Sequence, residues 1–188
     1  MKKDSFTLIE FLIVIALIAI LGAIIGTTAF RTIEKSRCSR VVSESKTIKN
    51  AALTYYTDTG IWPHPYLLDT PINPFLSNKN DLGNPVQGWN GPYVEKWSPH
   101  PWGGHVGWDN TIDLDNNGML DGCVILDDDR PGTGENDNQG EIPRRAMVKI
   151  DEMLDDGNLA TGFVQGDGLG LHAGVGELFI IVVRDGQP

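Results

Sequence analysis

Phe6-Thr7-Leu8-Ile9-Glu10, leading into the run from Phe11 to Phe30, decides how this chain is organised. The run holds 20 residues and no charged side chain. At about 1.5 Å per residue such a helix reaches about 30 Å, the thickness of a bilayer's hydrocarbon core. One membrane-crossing helix is therefore expected over 6–30, with Glu10 as its single carboxylate. A carboxylate near the end of such a helix is costly in lipid unless it meets a cation, so Glu10 marks a site that needs a partner. Ahead of it lies the polar leader Met1-Lys2-Lys3-Asp4-Ser5, whose lysines favour the cytoplasmic side and send the rest of the chain outward. Two alternatives stay open: a secretory signal peptide, for which Gly22, Ala23 and Gly26 offer small residues, and a plain anchor that is never cleaved.

Beyond Phe30 the pattern becomes one-sided. Ile33, Arg37, Val41, Ser45, Ile48, Ala52 and Tyr55 or Tyr56 recur every three or four residues, which predicts a continuing amphipathic helix over 31–60, stopped by Gly60 and Pro63. Gly22-x-x-x-Gly26 suits close approach of helix backbones. The remainder, 61–188, has the size of one globular domain. From Ile61 to Asn110, Pro, Gly, Asn and all five tryptophans dominate, so loops and short strands are expected, with the indoles filling a small core rather than stacking on sugars. Ile142 to Leu154 predicts a short helix that Gly157 ends. After a Gly-rich tract, Leu178 to Val183 reads as a buried strand closing the sheet. The expected fold class is α+β: a long N-terminal helix on a small antiparallel sheet domain with long loops.

A short basic leader, then FTLIE, then an apolar helix resembles the signal of type IV pilins and type II secretion pseudopilins. That resemblance implies cleavage between Ser5 and Phe6 by a prepilin peptidase, removing the leader 1–5, and methylation of the new Phe6 amine. It further implies that Glu10 meets the N-terminal ammonium of a neighbouring subunit as the helices bundle into a homo-oligomeric helical fibre; pairing offsets a charge whose burial alone costs several kcal/mol. The family prefers Gly before the cut, where this chain has Ser5. A narrower resemblance follows: Trp89-Asn90-Gly91-Pro92-Tyr93-Val94 and Pro101-Trp102-Gly103 are similar to the W-x-G-P-Y and D-P-W-G pair of major pseudopilins of type II secretion, with His100 in place of the Asp. It implies a subunit held in the inner membrane before assembly and in a periplasmic or surface fibre afterwards. The implied partners are an inner-membrane assembly platform and minor pseudopilins; a surface type IV pilus and a membrane-anchored calcium-dependent adhesin remain the alternatives.

Asp113-Leu114-Asp115-Asn116-Asn117-Gly118-Met119-Leu120-Asp121 sets oxygen ligands at alternate positions with Gly sixth, the front half of a calcium loop. Asp113, Asp115, Asn117, the Met119 carbonyl and Asp121 are the candidate ligands. Val124 stands where an EF-hand has its closing acid, so this is not an EF-hand. A second cluster, Asp127, Asp128 and Asp129 through Asp137, either completes that site or forms its own; it loosely resembles the acidic calcium loop of major pseudopilins. Ca²⁺ is the expected cofactor, against the alternative of a solvated acidic turn.

The formal charge is −10, and loss of 1–5 would leave −11, a surface that repels nucleic-acid phosphates and argues against a nucleic-acid partner. Cys38 and Cys123 both follow the membrane segment, where an oxidising compartment permits a bridge between helix and domain; two separate thiols are the alternative. His100, His105 and Asp109, with His64 and His172 elsewhere, match no helical zinc spacing, and histidines among Pro and Gly are expected on surface loops. No phosphate loop or nucleophile elbow appears in the sequence, so no enzymatic activity is expected.

Overall fold

The computed structural model describes residues 7–133, 137–170 and 172–184, with side-chain surroundings described throughout these except at 23–28. The order is α1 (Leu8–Thr59), β1 (Val106–Ile112), β2 (Asp121–Leu126), α2 (Arg144–Leu154), β3 (Val164–Gly166) and β4 (Leu178–Val183). The fold is α+β, with a long N-terminal helix and an antiparallel sheet, as expected. The chain forms two compact units, residues 1–37 and 38–188.

In the first unit α1 is apolar all round, and its large side chains from Leu8 to Leu21 are 43% to 82% exposed. A helix of this kind has no core face of its own. Among the described residues no helix is long and apolar enough to cross a membrane. The span expected over 6–30 includes Phe6 and the side chains of 23–28, which lie outside the description.

In the second unit α1 becomes one-sided at Cys38: Cys38, Val41, Ser45, Ile48, Ala52 and Tyr55 are buried, and Ser45 satisfies its hydroxyl by donating to the Val41 carbonyl at 2.9 Å. Ile33 and Arg37, expected on this stripe, are exposed, so the amphipathic stretch starts later than the sequence indicated. The helix ends at Thr59, and the Gly60 N–H returns to the Tyr56 carbonyl at 2.8 Å.

The sheet order is β1-β2-β4-β3. Its alternation sends Val124, Leu126, Leu178, Ile180 and Val182 to one core cluster together with α1 and α2, while Cys123, Ile125, Phe179 and Ile181 form a second cluster with Leu114 and Ala173. A sheet covered on both faces explains why Leu178–Val183 is apolar throughout. Contrary to the expectation from sequence that it closes the sheet, β4 lies inside it, and the three-residue β3 takes the edge. The predicted helix near 142–154 is α2, entered through Pro143, with Ala146, Met147 and Ile150 buried.

The bridge between Cys38 and Cys123 is not formed. Cys38 belongs to the helix-side cluster, its thiol toward the Ala146 carbonyl at 3.8 Å, and Cys123 belongs to the cluster on the other sheet face. Side-chain parity along β2 separates them, because Val124, not Cys123, points toward the helix side.

Candidate functional site

The described chain starts at Thr7, which caps α1. The Thr7 N–H and hydroxyl both donate to Glu10 Oε2, at 2.8 and 2.7 Å, and the Glu10 N–H reaches back to Thr7 Oγ1 at 3.4 Å. This is a capping box, in which a Thr-x-x-Glu pair satisfies the first donors of a helix and places a carboxylate at its positive end. The sequence signal was present in Thr7-Leu8-Ile9-Glu10, and the sequence reading passed it over. Ser5 and Phe6, the expected processing pair, lie outside the described residues. A Cβ built on Gly22 meets nothing within 4 Å, so its helix face is open; the surroundings of Gly26 are not among those described.

The motif 89–94 fastens the loop region to the end of α1 in the second unit. Trp89 Nε1 donates to the Pro74 carbonyl at 3.2 Å, the Tyr93 N–H to the Phe75 carbonyl at 2.8 Å, and the Tyr93 hydroxyl to Asp58 Oδ2 at 3.0 Å. Glycine at 91 lets these rings sit close, since a Cβ there would lie 2.5 Å from the Trp89 ring and 2.9 Å from that of Tyr93 and would displace them. Of the five tryptophans, Trp108 is fully buried and Trp62, Trp97 and Trp102 pack against the core, as the core reading expected.

His100 and His105 are buried, which corrects their placement on surface loops. His100 Nδ1 accepts the Trp102 N–H at 3.3 Å, so Nε2 carries the proton and donates to the Asp127 carbonyl at 2.8 Å. Burial holds His100 below the usual histidine range and brings His105 down to about 4, so both stay neutral at pH 7. His100 thereby ties the Pro101-Trp102-Gly103 turn to the acidic loop after β2.

The acidic residues fall into separate groups. In the β1–β2 connection, Asp113, Asp115 and Asp121 offer oxygens within 4.8 Å of one another. Asp113 accepts the Asn117 and Gly118 N–H groups, Asp121 accepts the Leu114 N–H, and Asn117 Oδ1 accepts the Met119 N–H. Asp115 Oδ2 pairs with Arg184 at 2.8 Å, while its buried Oδ1 has no hydrogen-bond partner. The Met119 side chain is exposed.

The second group differs from expectation. Asp127 and Asp128 meet Glu177, not Asp137. Asp137 is held by Arg130 at 2.7 Å, and Asp129 Oδ1 accepts the Asn138 N–H at 2.9 Å. Sequence reasoning missed Glu177 because only the β2–β4 register, which sets Leu126 opposite Leu178, carries residue 177 alongside 127. Burial pushes the Asp128 carboxyl up and Asp129 adds to it; burial likewise raises Glu177, opposed by the Gly174 N–H and reinforced by Asp127, Asp128 and Asp129. Carboxylates crowded in this way suit a hard divalent cation, which takes six to eight oxygens.

Residues 1–26 match the prokaryotic N-terminal methylation motif, and residues 32–119 match the family described as PilW, C-terminal. The fimbrial protein EcpC of Eikenella corrodens is 41% identical over 61 residues, which are 32% of this chain and 40% of that protein. No solved structure matches the chain significantly. With the methylation motif at its head, a fimbrial relative, and a long helix leading into a small antiparallel sheet, the chain is similar to the type IV pilin-like family.

Proposed function

We propose that this chain is the structural subunit of a fibre, inserted in the inner membrane, trimmed between Ser5 and Phe6 by a prepilin peptidase, methylated at Phe6, and polymerised through α1. The observation that carries this reading is the exposed apolar surface from Leu8 to Leu21, headed by Glu10. In the fibre the carboxylate of Glu10 meets the Phe6 ammonium of a neighbour, and Gly22 and Gly26 let backbones approach. Among fibres, the pseudopilus of type II secretion is supported by Trp89 to Val94 and Pro101 to Gly103, which brace the loops against helix and sheet. Minor pseudopilins and an inner-membrane platform are then the partners, and protein export the output. A surface pilus is the second reading, favoured by the fimbrial relative.

Calcium belongs to the same proposal. Asp127, Asp128 and Glu177 supply the carboxylates, and the ion would hold the loop after β2 against the start of β4. The group at Asp113, Asp115 and Asp121 already receives a positive charge from Arg184. Intact mass and N-terminal sequencing of the protein from its host test the processing: a chain beginning at methylated Phe6 is expected, and one still beginning at Met1 overturns fibre assembly in favour of a membrane-anchored binding module. Deleting the gene distinguishes the two fibres by whether secreted enzymes or surface filaments disappear.

A further inference from the structure

A third acidic group lies apart from both loops, where α2 ends. Asp151, Asp155 and Asp156 each offer a carboxylate oxygen, all within 4.8 Å of one another. Asp151 is 0% exposed, and neither of its oxygens has a hydrogen-bond partner of ordinary distance and angle, although the backbone N–H groups of Gly157 and Asp156 face it and offset part of the effect of its burial. Its neighbours are engaged on one side only by what is described: Asp155 Oδ2 accepts the Phe163 N–H at 2.6 Å, and Asp156 Oδ1 the Asn158 N–H at 2.8 Å. The last turn of α2 holds no basic residue, so three acids gather at the helix's negative end with nothing of opposite sign in that turn.

A buried carboxylate whose oxygens lack a well-formed hydrogen bond is a costly arrangement for a fold to keep. Protein interiors resolve it by protonation or with a cation; where three carboxylates converge a cation can satisfy all of them at once, and an all-carboxylate donor set selects a hard one. We propose that Asp151, Asp155 and Asp156 form a further divalent-cation site, of calcium class, that fastens the end of α2 to the loop leading into β3. Calcium fits better than magnesium, because a site built from one helix end and one tight loop offers irregular geometry that the larger ion accepts.

The test is equilibrium dialysis of the full-length chain in detergent with radioactive Ca²⁺, run on wild type, Asp151→Asn, Asp156→Asn and Asp128→Asn. Asp151→Asn is expected to lose one bound Ca²⁺ per chain, and Asp156→Asn, at an exposed position that keeps the fold, to weaken the same equivalent at least tenfold. Asp128→Asn addresses the calcium reading of the loop after β2, so its effect is separate: either reading can fail while the other stands. Asp151→Asn should also leave the chelated protein at least as heat-stable as wild type, since the amide removes an unpaired charge. Unchanged stoichiometry in both Asp151→Asn and Asp156→Asn would overturn the site, as would full displacement of that equivalent by Mg²⁺ at equal concentration.

Discussion

Residues 8–21 and residues 38–55 belong to one helix and are both rich in apolar side chains, yet the first stretch is exposed on every side and the second buries a single stripe. The difference lies in spacing. Cys38, Val41, Ser45, Ile48, Ala52 and Tyr55 fall every three or four positions and meet a sheet; Leu8 to Leu21 has no polar face to set against an apolar one. At roughly 25 cal/mol per Å², the first stretch holds a large burial energy that its own described chain does not use, while the second has spent its share on the fold. On the proposed function, assembly and folding are written into successive parts of one element, and mutations in each should act on one process alone.

Glu10→Ala should break the first part most. Removing one partner of a buried pair costs about 3–5 kcal/mol, so sedimentable fibre should fall at least tenfold while the melting temperature of the domain holds. Glu10→Gln sharpens the point: it keeps an acceptor for Thr7 but no charge, and it should assemble as poorly as the alanine variant. Normal fibres from either would sink the pairing account.

Trp108→Ala attacks the core into which the second part packs. This side chain is fully buried, donates Nε1 to the Pro63 carbonyl and stacks edge-on with Phe75. A loss of about 3–5 kcal/mol is expected in chemical denaturation. Gly104→Ala follows, because a Cβ there would lie 2.0 Å from the Asp127 carbonyl oxygen and 2.4 Å from His100 Nε2. It should cost about 1–3 kcal/mol and loosen the acidic loop, visible as faster proteolysis near Asp127. Tyr93→Phe removes only the hydroxyl between Asp58 and the Asn90 N–H, worth about 1 kcal/mol. Smallest of all is reduction. With the thiols on opposite sheet faces and burial pushing the Cys123 thiol far up, dithiothreitol should not shift the melting temperature, and alkylation should require unfolding.

The sequence disclosed elements where one period dominated. The charge-free run, the three-to-four spacing after residue 38 and the apolar Leu178–Val183 each point to one structure. β3 stayed hidden, since Val164–Gly166 is three residues within a Gly-rich tract and exists through pairing with β4. The facing of Cys123 was equally hidden: every residue of β2 is buried, so no polar alternation marks which side faces the helix. The acidic residues were visible as a class but not as groups. Arg130 draws Asp137 away, Arg184 comes from the far end of β4 to Asp115, and Glu177 arrives through strand register. Grouping depends on topology, which local spacing does not encode.

Thr7 and Glu10 give the isolated subunit a domestic substitute for the contact proposed in the fibre. On that proposal, joining the fibre is an exchange of partners: the carboxylate leaves an amide and a hydroxyl of its own chain for an ammonium on the next. The gain per subunit is then the difference between two satisfied states, smaller than the full strength of either. A subunit drawn back out returns to a closed helix end rather than a bare charge. A filament built on such exchange can be lengthened and dismantled without leaving the Glu10 carboxylate unpaired at either step.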